Sequence, residues 1–154
     1  MLKELEQRLN DYWKESEELG NEFYRFKVEK LCDENYIAII CLNDNDTLAW
    51  MLTIQVANDM AAMITNCISA LYDEFINPNN RIVRAWKGYI NRKVKSLNLA
   101  MSKNNTEKVN KINQDMVEQY KKMNDAKFKV SEFKIFINMF YYIKSEYEPM
   151  KEAM

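Results

Sequence analysis

The sequence predicts a mainly α-helical α+β fold: an N-terminal helix and a short β-hairpin, then four helices packed bundle-like around a long central one. Three observations carry this. Apolar residues recur at three- and four-residue spacing over most of the 154 residues, stretches that read as strands concentrate in residues 23–42, and only two Gly and two Pro interrupt the chain. With 47% apolar residues the chain can build one core without disulfides or a structural metal, so a single domain over 1–154 is expected.

The first helix follows from Leu2, Leu5, Leu9, Tyr12, Trp13 and Leu19, with Gly20 as its stop. Residues 23–31 alternate in part and Tyr36–Leu42 is an Ile-rich run, which together read as a hairpin turning near Asp33-Glu34-Asn35; a helical continuation through Phe23 and Phe26 competes. Asn43-Asp44-Asn45-Asp46 forms a turn, and Asp46 caps a long central helix from Thr47 to about Ile76. Between residues 47 and 72 Asp59 is the only charge, yet eight of those 26 positions are Thr, Gln, Asn, Asp or Ser. Burying Asp59 mid-bilayer would cost roughly 2.5 to 3.5 kcal/mol, so no membrane span is expected. Asn77-Pro78-Asn79-Asn80 then breaks the helix and opens the next, to Met101. A helix near 105–125 follows, and Ser131 caps a last one ending before Pro149, although Lys127–Val130 also fits a short strand.

What is scarce excludes whole chemistries. Without His there is no His-assisted nucleophile, no imidazole base and no His-containing zinc site. Gly20 and Gly88 stand too far apart for a phosphate loop or a nucleophile elbow. Cys32, Cys41 and Cys67 form no C-x-x-C pair and are odd in number, which fits buried thiols in a reducing cytoplasm, and the charged N-terminus is no signal peptide. Eighteen Asn and 17 Lys against five Arg point to an A+T-rich genome, a profile that suits a phage or mobile-element accessory protein.

Charge is distributed unevenly along the chain. Residues 1–75 hold six basic and 15 acidic side chains, net minus nine; residues 76–154 hold 16 and eight, net plus eight, which together give the overall minus one. From Arg81 to Lys103 there is no acidic residue, and on a helical wheel Arg81, Arg84, Arg92, Lys95 and Lys103 fall within about 80° around Gly88. This basic amphipathic helix is the candidate binding surface for an acidic protein or for nucleic-acid phosphates, and its plainer reading is a solvated face or one set against the acidic first helix. The wheel puts Trp86 and Tyr89 on the core side, and the near-neutral total weakens the nucleic-acid alternative. A second candidate surface is Phe140-Tyr141-Tyr142, because three consecutive aromatics cover about 200° of a helix and cannot all face one core.

Enzymatic chemistry would have to rest on carboxylates. Glu15 and Glu18, or Asp11 and Glu15, could hold Mg²⁺ through waters, but Asp59, Asp73 and Glu74 do not make a convincing second pair. The expectation is therefore a small non-enzymatic binding protein, an inhibitor, adaptor or regulator, working without cofactor or metal. It acts by protein partnership or self-association through the basic helix and the aromatic patch. The alternative is a nucleic-acid-binding protein, and a carboxylate and Mg²⁺ hydrolase comes third.

Overall fold

The computed structural model describes residues 1–18 and 24–148, with side chains for 1–14 and 24–148. It contains α1 (Leu2–Glu18), β1 (Arg25–Lys30), β2 (Tyr36–Leu42), β3 (Leu48–Gln55), α2 (Met60–Leu71), a π-helical turn (Tyr72–Ile76), α3 (Asn77–Ser102) and α4 (Thr106–Tyr147). Helices account for 71% of the described residues, so the fold is mainly α with one small antiparallel sheet. The chain divides into two compact units, residues 1–72 with 135–154 and residues 73–134.

In the first unit the strands run in the order β1-β2-β3, with Phe26 opposite Cys41 and Cys41 opposite Trp50. The inward residues of β3 are Trp50, Leu52 and Ile54, the period of two that a half-buried strand requires. α1 lies along β1 and α2 along β3. Leu5, Leu9 and Trp13 of α1, Met63, Ile64, Cys67 and Leu71 of α2, and Phe136, Met139, Phe140 and Ile143 of α4 complete the core. The end of α4 is also held to α1 by polar contacts: Arg8 donates to Glu146 at 2.5 Å and the Tyr147 hydroxyl to Glu4 at 3.0 Å. The Glu146 contact raises the Arg8 guanidinium above its ordinary pKa, and burial together with Glu4 pushes the Tyr147 phenol up.

The hairpin stands, and the sheet gains a third strand at the expense of the expected central helix. Residues 47–76 are not one helix: Leu48–Gln55 is β3, and only Met60–Leu71 is α-helical. Asp46 is not a cap but closes the β2–β3 turn with φ 64°, where it pairs with Arg25. Asp59 is the true N-cap, accepting from Ala62 N–H at 2.8 Å. The Asn77–Asn80 break is absent as well. The backbone stays helical through the π turn into α3, and Pro78, which can donate no backbone bond, falls just after that turn, where the regular α-helical ladder is already interrupted. The two expected last helices are one 42-residue helix, α4, which also removes the strand alternative at Lys127–Val130. Ser131 caps nothing, its hydroxyl donating to the Lys127 carbonyl one turn back. The expected stop at Gly20 and the side chains of Glu15 and Glu18 lie outside the described residues.

Candidate partner-binding surface

The second unit is a helical hairpin made by α3 and the first two-thirds of α4. Its turn is local chemistry: Asn104 takes φ 54°, a left-handed conformation that Asn tolerates, and Asn105 N–H donates to the Ala100 carbonyl at 3.0 Å. The Asn105 side chain then accepts from Lys108 N–H at 3.2 Å and starts α4. With 26 residues at 1.5 Å each, α3 is about 39 Å long. The side chains that come out of solvent include Trp86, Tyr89 and Ala100 of α3 and Ile112, Met116, Met123, Ala126 and Val130 of α4, positions repeating at three and four residues. Phe75 and Phe133 stack with centroids 4.4 Å apart, and Trp86 meets Tyr120 edge-on at 5.7 Å. Even so, within residues 73–134 only Ile76, Ala100, Ile112, Ala126 and Val130 are buried.

The two units carry opposite charge. Residues 73–134 hold 14 basic and seven acidic side chains, net plus seven, and the remaining residues hold eight and 16, net minus eight. Arg81, Arg84, Arg92, Lys95 and Lys103 are all exposed, and none of them makes an ion pair among the described residues. At Gly88, in the middle of this row, the space a Cβ would occupy lies 3.4 Å from Nη1 of Arg92, so the guanidinium lies back along the helix.

Beside the basic row a cleft of about 520 Å³ opens between α3 and α4. Ile82, Ala85, Trp86, Tyr89, Met123 and Ala126 supply its apolar lining; Arg92, Lys122, Lys129 and Asp125 supply its charges. Trp86 and Tyr89 are therefore half-buried cleft walls, not closed-core residues as the helical wheel implies. Desolvation, then the Asp115 and Glu118 carboxylates, push the Tyr89 phenol up, and Lys93 Nζ sits 5.7 Å from its ring centroid. The surface can hold apolar side chains in the cleft and anionic ones along the row.

The sequence reading missed Lys122 and Lys129, which α4 brings to the cleft. The signal was the unbroken three-four spacing from Val109 to Val130, which fixes what α4 turns toward α3.

The aromatic triplet is split. Phe140 is fully buried in the first unit and is not part of a surface, whereas Tyr141 and Tyr142 are half-exposed, Tyr142 lying 5.8 Å from the Tyr12 ring. Among the described residues no group of three metal-ligating side chains comes together, and no helix is long and apolar enough to cross a membrane. No protein-family model matches the chain, and neither a curated protein nor a solved structure matches it.

Proposed function

We propose that this chain is a non-enzymatic binding protein of a reducing cytoplasm, an inhibitor, adaptor or regulator, whose α3–α4 hairpin receives an acidic amphipathic helix of a partner protein. The observation that carries the reading is the exposed row Arg81, Arg84, Arg92, Lys95 and Lys103 running beside an open apolar cleft. A helix laid in a groove needs apolar anchors on one side and charges on the flank, and this arrangement offers a seat for both. Among the described residues these guanidinium groups make no ion pair that would have to break before they bind carboxylates.

The test uses the full chain and two synthetic amphipathic helices with the same apolar positions, one with Glu and one with Lys on the flank. Calorimetry should find binding of the Glu helix only, weakened at least tenfold by Arg84→Glu combined with Arg92→Glu. Equal binding of both helices, or no loss in the variant, would sink the reading.

Nucleic acid is the second reading, favoured by Trp86 and Tyr89 lining an open cleft beside Arg92, where bases could stack. The near-neutral net charge of the whole chain, minus one, puts this reading second. Oligonucleotide binding that falls steeply with salt and is lost in the same double variant would reverse the order.

A further inference from the structure

We propose that the apolar side of the α3–α4 hairpin, a different surface from the basic row, docks a second copy of this chain. On α3 the 100° step sets Ile90, Val94 and Met101 on a stripe turned about a quarter of the circumference or slightly more from the line that meets α4. On α4 the same step sets Tyr120 about 75° and Val117 and Phe128 about 135° to 155° round from its own line of contact with α3. Because the helices are antiparallel the two stripes turn to the same side, and the Trp86–Tyr120 ring contact joins them into one face.

This face is open. Val94 is 41% exposed, Met101 57%, Val117 54%, Tyr120 50% and Phe128 69%. Those five side chains alone leave on the order of 500 Å² accessible, toward the upper end for the largest apolar patch of a monomer and most of the roughly 800 Å² per partner that a stable interface covers. The half-buried Val83, Ile90 and Leu97 and the polar rim extend it.

A second copy is the occupant that the architecture fits. Within residues 73–134 the two helices bury only four residues, Ala100, Ile112, Ala126 and Val130, whereas two such hairpins placed face to face make a four-helix bundle with an enclosed core. The stripes themselves carry no charge that would select an ionic partner, and Asn113 and Asn124 of α4 fall at the same side, where paired amides would fix the register.

Sedimentation velocity and light scattering of the full chain between about 1 and 100 μM test this, with salt raised from 0.15 to about 1 M to screen ionic contacts. A dimer that persists at high salt is the expected result. Phe128→Ser combined with Val117→Ser should raise its dissociation constant at least tenfold with helical content by circular dichroism unchanged, and Met101→Gln should act in the same direction from α3. Leu99→Ser, which removes a side chain just as exposed from the other side of α3, should leave association unchanged. A monomer throughout the range overturns the proposal, as does a dimer indifferent to these substitutions. So does a monomer whose apolar face binds vesicles of anionic phospholipid. The readout is mass and needs no acidic partner, so failure here leaves the proposed function standing.

Discussion

Asn10 of α1 pairs with Phe26 of β1 as a neighbouring strand would: its side-chain oxygen accepts from Phe26 N–H at 2.8 Å and its amide donates to the Phe26 carbonyl at 3.1 Å. One turn earlier, Glu6 accepts from Val28 N–H at 3.0 Å. Two helix side chains thus occupy backbone groups that the outer edge of β1 would offer to another chain. Asn10→Ala should cost about 1 to 3 kcal/mol, because both Phe26 groups lose their partner in a part-buried place. Chemical denaturation would measure this, and thioflavin fluorescence on standing should rise above wild type. A loss under about 0.5 kcal/mol would mean that water replaces the amide freely.

Phe136 stands where four other rings converge, with centroids 5.7 Å from Trp13, 4.9 Å from Tyr24, 6.4 Å from Phe26 and 5.0 Å from Trp50. It brings α4 onto both α1 and the sheet, and it is 1% exposed. Phe136→Ala should therefore lower unfolding free energy by about 3 to 5 kcal/mol, and Phe136→Leu by distinctly less because it leaves a smaller cavity. The contrast between the two, read from denaturation midpoints, separates lost volume from lost ring contacts.

How legible this was in the sequence depended on whether two periods could be told apart. α1 and β2 were readable because Leu5, Leu9 and Trp13 fit only the helical spacing and the Ile-rich Tyr36–Leu42 run sits between polar turns. In Leu48–Gln55 almost every residue is apolar, so Trp50, Leu52 and Ile54 satisfy period two without excluding a helix, and the decisive mark was the cap at Asn58-Asp59. At Asn124–Ser131 the error had the opposite sign. Ser131 reads as the cap of a new helix and Lys127–Val130 as a possible strand, but no Gly or Pro lies there, and Met123, Ala126, Val130 and Phe133 keep the spacing across it. The basic row could be read from one helix. The cleft and the apolar face could not, because each is shared between α3 and α4 and depends on how one long helix turns against another.

The three cysteines should separate cleanly by burial. Cys41 and Cys67 are fully buried and desolvation pushes both thiols well up, whereas Cys32 is exposed in the β1–β2 turn. With the folded pKa above the unfolded one, their burial contributes stability that is fully present below the ordinary thiol pKa of about 8.5 and is lost as pH rises beyond it. At pH 8 one thiol should react promptly with Ellman's reagent and all three after unfolding. Prompt reaction of two in the native protein would contradict the packing of α2 against β3.

Gly88 lies mid-helix in α3, without a positive φ, and a Cβ there would meet only the movable end of Arg92 at 3.4 Å. Glycine in such a place costs about 0.5 to 1 kcal/mol relative to alanine, with nothing in the fold to require it. Gly88→Ala should raise the thermal midpoint. If it also weakens capture of the Glu-flanked helix, the missing side chain serves close approach of a partner along the basic row. Stabilisation with unchanged capture would remove Gly88 from that surface.

Asp59 and Ser131 both look like helix caps in the sequence, and the structure gives them opposite consequences. Asp59 has extended backbone, φ −140° and ψ 170°, and its carboxylate accepts from Ala62 N–H, satisfying a donor that α2 cannot pair internally. Asp59→Ala should lose about 1 kcal/mol, and Asp59→Asn should recover most of it, since the amide oxygen can accept the same bond and only the charge at the helix N-terminus is gone. Ser131 sits inside α4, where its hydroxyl bonds the Lys127 carbonyl and competes with the backbone ladder. Ser131→Ala should be neutral or stabilising by a few tenths of a kcal/mol. A cap-sized loss at Ser131 would mean that α4 is broken there in solution, and with it the line of α4 positions that forms the cleft.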